Sequence, residues 1–308
     1  MADLGPALPE LPSSIAIRDV GPRDGLQPEE PVAVADRIAL VHALVAAGVT
    51  RVEVAAFVSP KAVPAMAGAA EVVAGIERRA GVTYAALVPN LRGAEMALEA
   101  GVDELTVTLS ASPTYNRRNV NMEVDESVAV IAAIVAAAGS TPVDAVVSCA
   151  VGSPYEDVVT PAVAVALGAR AAAAGATRLT YADTTGMATP LRIAELHGAL
   201  AGAIDDVGLH LHDTRGTALV NAYAALGLGF TRFDTAVGGL GGSPFAHGAG
   251  GNLATEELVA LCDDLGVATG IDVDTLVEAA LLVERLVGRA VPSGVAHAGP
   301  RTRRSASR

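Results

Sequence analysis

Short β-branched runs alternate along the chain with longer Ala/Leu-rich runs. The short runs predict strands at 15–20, 51–58, 83–89, 104–110, 142–149, 177–183, 207–213 and 232–237. Each is followed by a segment that reads as a helix, at 31–47, 61–79, 92–100, 124–138, 160–174, 190–203, 216–228 and 252–265, with a further helix at about 272–288. Several helical runs stop at Gly, as helix ends do, and the pattern recurs in "AAGVT-RVEV", "EAGVD-ELTV" and "AAGAT-RLTY". Strand–helix units in unbroken succession predict an α/β protein, a (β/α)8 TIM barrel with an extra C-terminal helix. An open doubly wound sheet is the alternative. No Pro- or Ser-rich linker divides the chain, so the expected organisation is a flexible segment at 1–14, one catalytic barrel at 15–292 and a disordered basic tail at 293–308.

Composition adds restrictions. Of 308 residues 51% are hydrophobic but only 3% aromatic, so the core must be closely packed Ala, Val and Leu. A formal net charge of −13 argues against nucleic acid and anionic membrane surfaces as partners, since both are held through Lys and Arg. The longest apolar run, "VAVIAAIVAAAG", is short of the roughly 18–20 residues of a membrane span. The first residues do not read as a secretory signal or transit peptide. Two cysteines, Cys149 and Cys262, are too few for a disulfide framework and fit a cytoplasmic location.

The chemistry begins at "GLHLHDTRG", residues 208–216. His210 and His212 are two apart in a predicted strand and so share a face, which in a barrel is the interior near the catalytic rim. They are either half of a metal site or two hydrogen-bonded core histidines. Other strand ends offer partners. Arg23 and Asp24 lie on the Gly/Pro turn after the first strand. Glu53 stands among apolar neighbours in the second, with Arg23 a candidate partner for its charge, and Asp183 ends the sixth. Carboxylate, imidazole and amide together suit Mg2+ or Mn2+ better than Zn2+. The stretch 238–252, "GGLGGSPFAHGAGGN", lacks the ending of a phosphate loop and reads as a flexible lid or a tight backbone cradle. Asn252 closes it, as a helix N-cap, a metal ligand or both.

The segments "VGPRDGLQPE", "FVSPKAVPAM", "LVPNLRG", "VSCAVGSPYE", "DTTGMATP", "HLHDTRG" and "GLGGSPFAHGAGGNLATEEL", in that order, resemble the 3-hydroxy-3-methylglutaryl-CoA lyase family over about residues 15–265. The resemblance implies a TIM barrel and a divalent-metal-dependent lyase, cleaving an acyl-CoA to acetyl-CoA and a 3-oxo acid. Asp24, His210, His212 and Asn252 match the family's metal ligands, Arg23 its catalytic arginine, Glu53 an active-site glutamate and Asp183 a catalytic aspartate. It also implies a homodimer. The family's catalytic cysteine is replaced by Ser243, whose hydroxyl is a poor acid. His247, four residues on, is either a substitute for proton transfer or a solvated loop residue. Pro113 and Ser153 stand where the family commonly has Glu and a second cysteine, so the acyl group accepted here could differ. Gln27 and Asn119 are further substrate candidates. Arg117 and Arg118 are either contacts for CoA phosphates or a solvated pair. A related synthase or aldolase, and a catalytically weakened acyl-CoA-binding relative, are the competing functions.

Overall fold

The structure, a computed structural model, describes residues 9–156, 159–201, 206–242 and 250–301. Eight parallel strands close on themselves in sequence order: β1 (Ala16–Asp19), β2 (Arg51–Ala56), β3 (Thr83–Leu87), β4 (Glu104–Ser110), β5 (Val143–Ser148), β6 (Arg178–Ala182), β7 (Val207–His210) and β8 (Arg232–Thr235), with β8 paired to β1. Closure excludes the open sheet. Around the strands run α1 (Val34–Ala46), α2 (Ala69–Gly75), α3 (Leu91–Ala100), α4 (Pro113–Val120), α5 (Val124–Ala138), α6 (Pro161–Ala173), α7 (Pro190–Ala199), α8 (Ala218–Gly227), α9 (Thr255–Leu265), α10 (Val273–Val287) and α11 (Gly294–Ala298). No helix among the described residues is long and apolar enough to cross a membrane.

Local chemistry explains where these helices start and stop. Thr160 and Thr189 each precede a proline, and their hydroxyls accept from the backbone N–H of Val163 and Arg192 at the starts of α6 and α7. Asn90 caps α3, which ends at Gly101 in the left-handed conformation that favours glycine. The same signals were present for α4, a segment read from sequence as a loop. Ser112 accepts from Tyr115 N–H and Pro113 opens the first turn. The helix expected over 61–79 is interrupted. A 3-10 turn at Pro64–Met66 and α2 are separated by Gly68, at φ +77°.

The described residues near both ends depart from the expected boundaries. Ser13 and Ile15 exchange backbone hydrogen bonds with Ala268, which ties residues within the supposed flexible start to the barrel. Gly294–Ala298, within the segment assigned to a disordered tail, form α11, capped by Ser293. Cys149 and Cys262 are free and buried.

The apolar core lies between the outer faces of the strands and the helices. The barrel interior is charged at one level. Arg18, Glu104, Asp144 and Asp234 are all buried there, with Arg51, Arg178 and Arg232 closing over Glu104 and Asp144. The low aromatic content therefore does not imply an interior of Ala, Val and Leu alone. Ion pairs and hydrogen bonds fill the space that branched apolar side chains commonly fill in such barrels.

Candidate metal and active site

The C-terminal end of the barrel gathers Arg23, Asp24, Glu53, Asp183, His210 and His212. After β1 the chain makes a π-helical turn, Gly21–Gly25, which presents Arg23 and Asp24. Glu53 lies on β2, fully buried, and Asp183 follows β6 directly. His210 is the last residue of β7. The strand ends three residues sooner than expected because His212 pairs instead with Asn252 in an antiparallel bridge. That bridge draws the far end of the glycine-rich segment over the barrel mouth.

Asp24, His210 and His212 can each offer a ligand atom, all within 4.8 Å of one another. His210 Nε2 is 4.0 Å from Asp24 Oδ2 and 3.1 Å from His212 Nε2. Asn252 Nδ2 donates to Asp24 Oδ2 at 2.8 Å and to the Leu240 carbonyl at 2.9 Å. The fourth predicted ligand is therefore at the cluster. It is not the cap of α9, whose N-cap is Ala254.

Two observations test whether these residues fit a cation. His210 Nδ1 lies 3.3 Å from Asp234 Oδ2, and His212 Nδ1 lies 3.0 Å from the Gly250 carbonyl. Both of those partners accept, so each neutral ring carries its proton on Nδ1 and leaves a lone pair on Nε2. With both rings neutral, the two Nε2 atoms face each other with no proton between them. Two ligands at right angles, each about 2.0–2.2 Å from a cation, sit about 2.8–3.1 Å apart, so the observed separation suits a shared ion. The second observation is Asn252 Oδ1, buried without a hydrogen-bond partner. A half-turn of that amide exchanges its nitrogen for oxygen toward Asp24, which converts a donor into a ligand. The donor set fits a divalent cation held by Asp24, His210, His212 and Asn252.

The electrostatics differ between the two rings. Burial and the nearby His210 push His212 down to about 4, so it is a neutral imidazole. For His210, burial opposes charge, but the Asp234 hydrogen bond and the charges of Asp24 and Asp234 outweigh it and raise its pKa. Burial opposes ionisation of Asp24 too, yet Arg23 and the two histidines hold its carboxyl below the usual range.

Arg23 Nε donates to Glu53 Oε2, as the sequence suggested, and Nη1 donates to Asp24 Oδ1 at 2.5 Å. Two buried carboxylate oxygens nearby have no partner, Glu53 Oε1 and Asp183 Oδ2. Asp183 Oδ1 accepts from Met187 N–H at 2.7 Å. Burial raises Asp183 to about 7 despite the Ala188 and Met187 backbone donors. Such a carboxyl can hold or release a proton near neutrality.

At its described residues, 238–242 and 250–252, the glycine-rich segment is a tight backbone cradle. Gly241 adopts φ +110°, and a Cβ there would come within 2.4 Å of Asn252 Nδ2. At Gly251 a Cβ would meet the Gly239 carbonyl at 1.8 Å. Gly250 N–H donates to Thr214 Oγ1, so the segment returns to β7's loop under tight constraint. Ser243 and His247 lie outside the described residues.

The remaining candidates are placed less directly. Arg117 and Arg118 lie on the exposed face of α4. Arg117 pairs with Glu123 at 3.1 Å, and the Arg118 guanidinium stacks 4.4 Å from the Tyr155 ring centroid. Asn119 is on the same helix, half-buried, and Gln27 follows the Arg23–Asp24 turn. Sequence reasoning missed Asp234 and the Gly250 carbonyl, which orient the two imidazoles. A charge inside "RFDTAV", a predicted barrel strand, was the available signal for Asp234.

Comparison with known proteins identifies the family. The HMGL-like family profile matches residues 14–283. A 3-hydroxy-3-isohexenylglutaryl-CoA/hydroxymethylglutaryl-CoA lyase of Pseudomonas aeruginosa is 42% identical over 293 residues, covering 94% of this chain and 98% of the relative. A hydroxymethylglutaryl-CoA lyase of Bacillus subtilis is 40% identical over 288 residues, covering 92% and 96%. The structure of an HMG-CoA lyase from Acinetobacter baumannii, in complex with coenzyme A and 3-methylmalate, superposes with a TM-score of 0.92 at 38% identity, covering 96% of this chain and 98% of that one. With the family profile spanning nearly the whole barrel and these relatives matched end to end, the chain belongs to the HMGL-like family of hydroxymethylglutaryl-CoA lyases.

Proposed function

We propose that the protein is a divalent-metal-dependent carbon–carbon lyase that cleaves a 3-hydroxy-3-methylglutaryl-CoA-like thioester to acetyl-CoA and a 3-oxo acid. The observation that carries this reading is the pair of Nε2 atoms, 3.1 Å apart, converging with Asp24 and Asn252 beside the Arg23–Glu53 pair. The oxygen and nitrogen donors, with no cysteine among them, favour Mg2+ or Mn2+.

In the reaction the 3-hydroxyl loses its proton, the C2–C3 bond breaks, and its electron pair passes to the departing acetyl-CoA as an enolate. The enolate then takes up a proton. A cation bound at the cluster supplies Lewis acidity toward the substrate's oxygens. The chain's own residues do the rest. Glu53 and Asp24 fix the Arg23 guanidinium, a permanent positive charge suited to stabilising negative charge as it develops on oxygen. The free Oδ2 of Asp183 is the acceptor for the hydroxyl proton. Return of a proton to the enolate falls to the loop bearing Ser243 and His247. CoA and the acyl chain belong at the mouth, where Gln27, Asn119, Arg117 and Arg118 stand as contacts. A homodimer in the cytoplasm is the state in which we expect the enzyme to act.

The test is acetyl-CoA release from 3-hydroxy-3-methylglutaryl-CoA and from esters with longer 3-alkyl groups, after chelation and with Mg2+ or Mn2+ restored. Metal-dependent release from any of them is the expected result. No release from the whole panel with metal bound would refute the lyase reading. Turnover of Ser243→Cys and His247→Ala then decides which loop residue serves proton return, a rate unchanged in His247→Ala eliminating that histidine.

A further inference from the structure

The sheet register sets three inward-facing residues side by side on neighbouring strands. Arg18 of β1 pairs with Asp234 of β8, and Asp234 pairs with His210 of β7. Their side chains are linked accordingly. Arg18 grips the Asp234 carboxylate in bidentate fashion, Nε to Oδ1 at 2.8 Å and Nη2 to Oδ2 at 2.7 Å. Asp234 Oδ2 also faces His210 Nδ1 at 3.3 Å. All three side chains are buried.

Neutralising Arg18 does not require Asp234. Arg18 Nη1 already lies 2.9 Å from Asp144 Oδ2 and 3.4 Å from Glu104 Oε1. What Asp234 alone does is turn an acceptor toward the inner edge of the His210 ring. We propose that Asp234 is a positioning residue for the cation site: it takes the Nδ1–H of His210, fixes the ring so that Nε2 faces the other ligands, and is itself held in place by Arg18.

The two imidazoles are then anchored differently. His210 rests on a carboxylate set in the rigid barrel wall, whereas His212 rests on the Gly250 carbonyl, part of the glycine-rich segment. A carboxylate behind a ligating histidine fixes tautomer and ring orientation and increases ligand basicity. The charged layer below becomes the support of the site, with Arg18 the link between them.

This inference rests on the cation site proposed above, so the experiment separates the two. Mn2+ is titrated into chelator-treated protein and free Mn2+ is followed by electron paramagnetic resonance, for wild type, Asp234→Asn and Asp144→Asn. Asp144 touches Arg18 but not His210, and so controls for damage to the charged layer. We expect Asp234→Asn to raise the Mn2+ dissociation constant by about 10–100-fold and Asp144→Asn to leave it at the wild-type value. Wild-type affinity in Asp234→Asn, or equal losses in both variants, overturns the inference while the cation site stands. Absence of Mn2+ binding by wild type removes the site and the inference together. Should Asp234→Asn fail to fold, histidine ring 15N spectra of metal-free wild type decide, with the His210 signal identified by its absence from His210→Gln. A slowly exchanging Nδ1–H on His210 is expected, and the Nε2–H tautomer overturns the proposal.

Discussion

At the scale of single residues, the site is built from groups whose second atoms are already committed. His212 gives Nδ1 to the Gly250 carbonyl, and Arg23 gives two donors to Glu53 and Asp24. Only the atoms turned inward remain available. When both rings are neutral and no cation is bound, the two Nε2 lone pairs oppose each other, so His212→Gln should abolish tight Mn2+ binding yet leave the metal-free protein no less stable. Mn2+ titration and calorimetry of the chelated protein measure the two halves of that statement. Arg23→Gln keeps a donor but removes the charge. Its kcat should fall by about 10²–10³-fold, the usual cost of losing one group that stabilises developing negative charge. Steady-state kinetics at saturating Mn2+ checks this, and a change in KM alone would contradict the role given to Arg23.

At the scale of elements, the glycine-rich segment acts through backbone proximity. Gly241 has no room for a side chain, because a Cβ would strike the Asn252 amide, and its φ of +110° disfavours any other residue. Gly241→Ala should therefore displace Asn252 and weaken Mn2+ binding, while the melting temperature of the metal-free protein falls far less than for a core substitution. Titration beside thermal unfolding distinguishes a local effect from general loss of structure. The same scale shows why sequence patterns served some elements better than others. α5, with its long apolar run and the reciprocal Glu123–Glu126 capping box, was readable over its whole length, 124–138. α4 was not, because "PTYNRRNV" is polar and short, and only its cap marks it as a helix.

At the scale of the whole molecule, buried charge couples the barrel's stability to pH and to its internal ion pairs. Asp19 and Glu256 are both buried, Asp19 accepting from Thr255 Oγ1 at 2.6 Å and Glu256 from Gly238 N–H at 3.0 Å. Burial raises each to about 7. A carboxyl that stays protonated when folded and ionises when unfolded contributes stability fully present below its unfolded pKa and lost as pH rises through the folded one. These two groups should thus lower stability between about pH 4 and pH 7, after which their contribution is flat. Urea denaturation at pH 5.5 and pH 8 should show a smaller drop for Glu256→Gln than for wild type. An equal or larger drop would assign the pH dependence elsewhere. Arg18→Met leaves Asp144, Asp234 and Glu104 without their shared cation, and should cost about 3–5 kcal/mol, as breaking a buried pair does. The midpoint of urea unfolding reads that loss directly.

The sequence by itself determined the succession of the eight strands and of the main helices between them, because strand and helix are local consequences of apolar spacing and of caps such as Asn90 and Thr160. It also exposed the candidate ligands, since His210 and His212 share a face wherever their strand lies, and Asp24 stands on the turn that follows the first predicted strand. Tertiary structure decided what stands behind them. That Asp234 reaches His210, that Arg18 grips Asp234 across the β1–β8 seam, and that Asn252 returns to pair with His212 all depend on barrel closure and register. Those contacts join residues as many as 216 positions apart, as between Arg18 and Asp234. Local pattern sets which side of a strand a residue occupies, but only the closed sheet sets what it meets there.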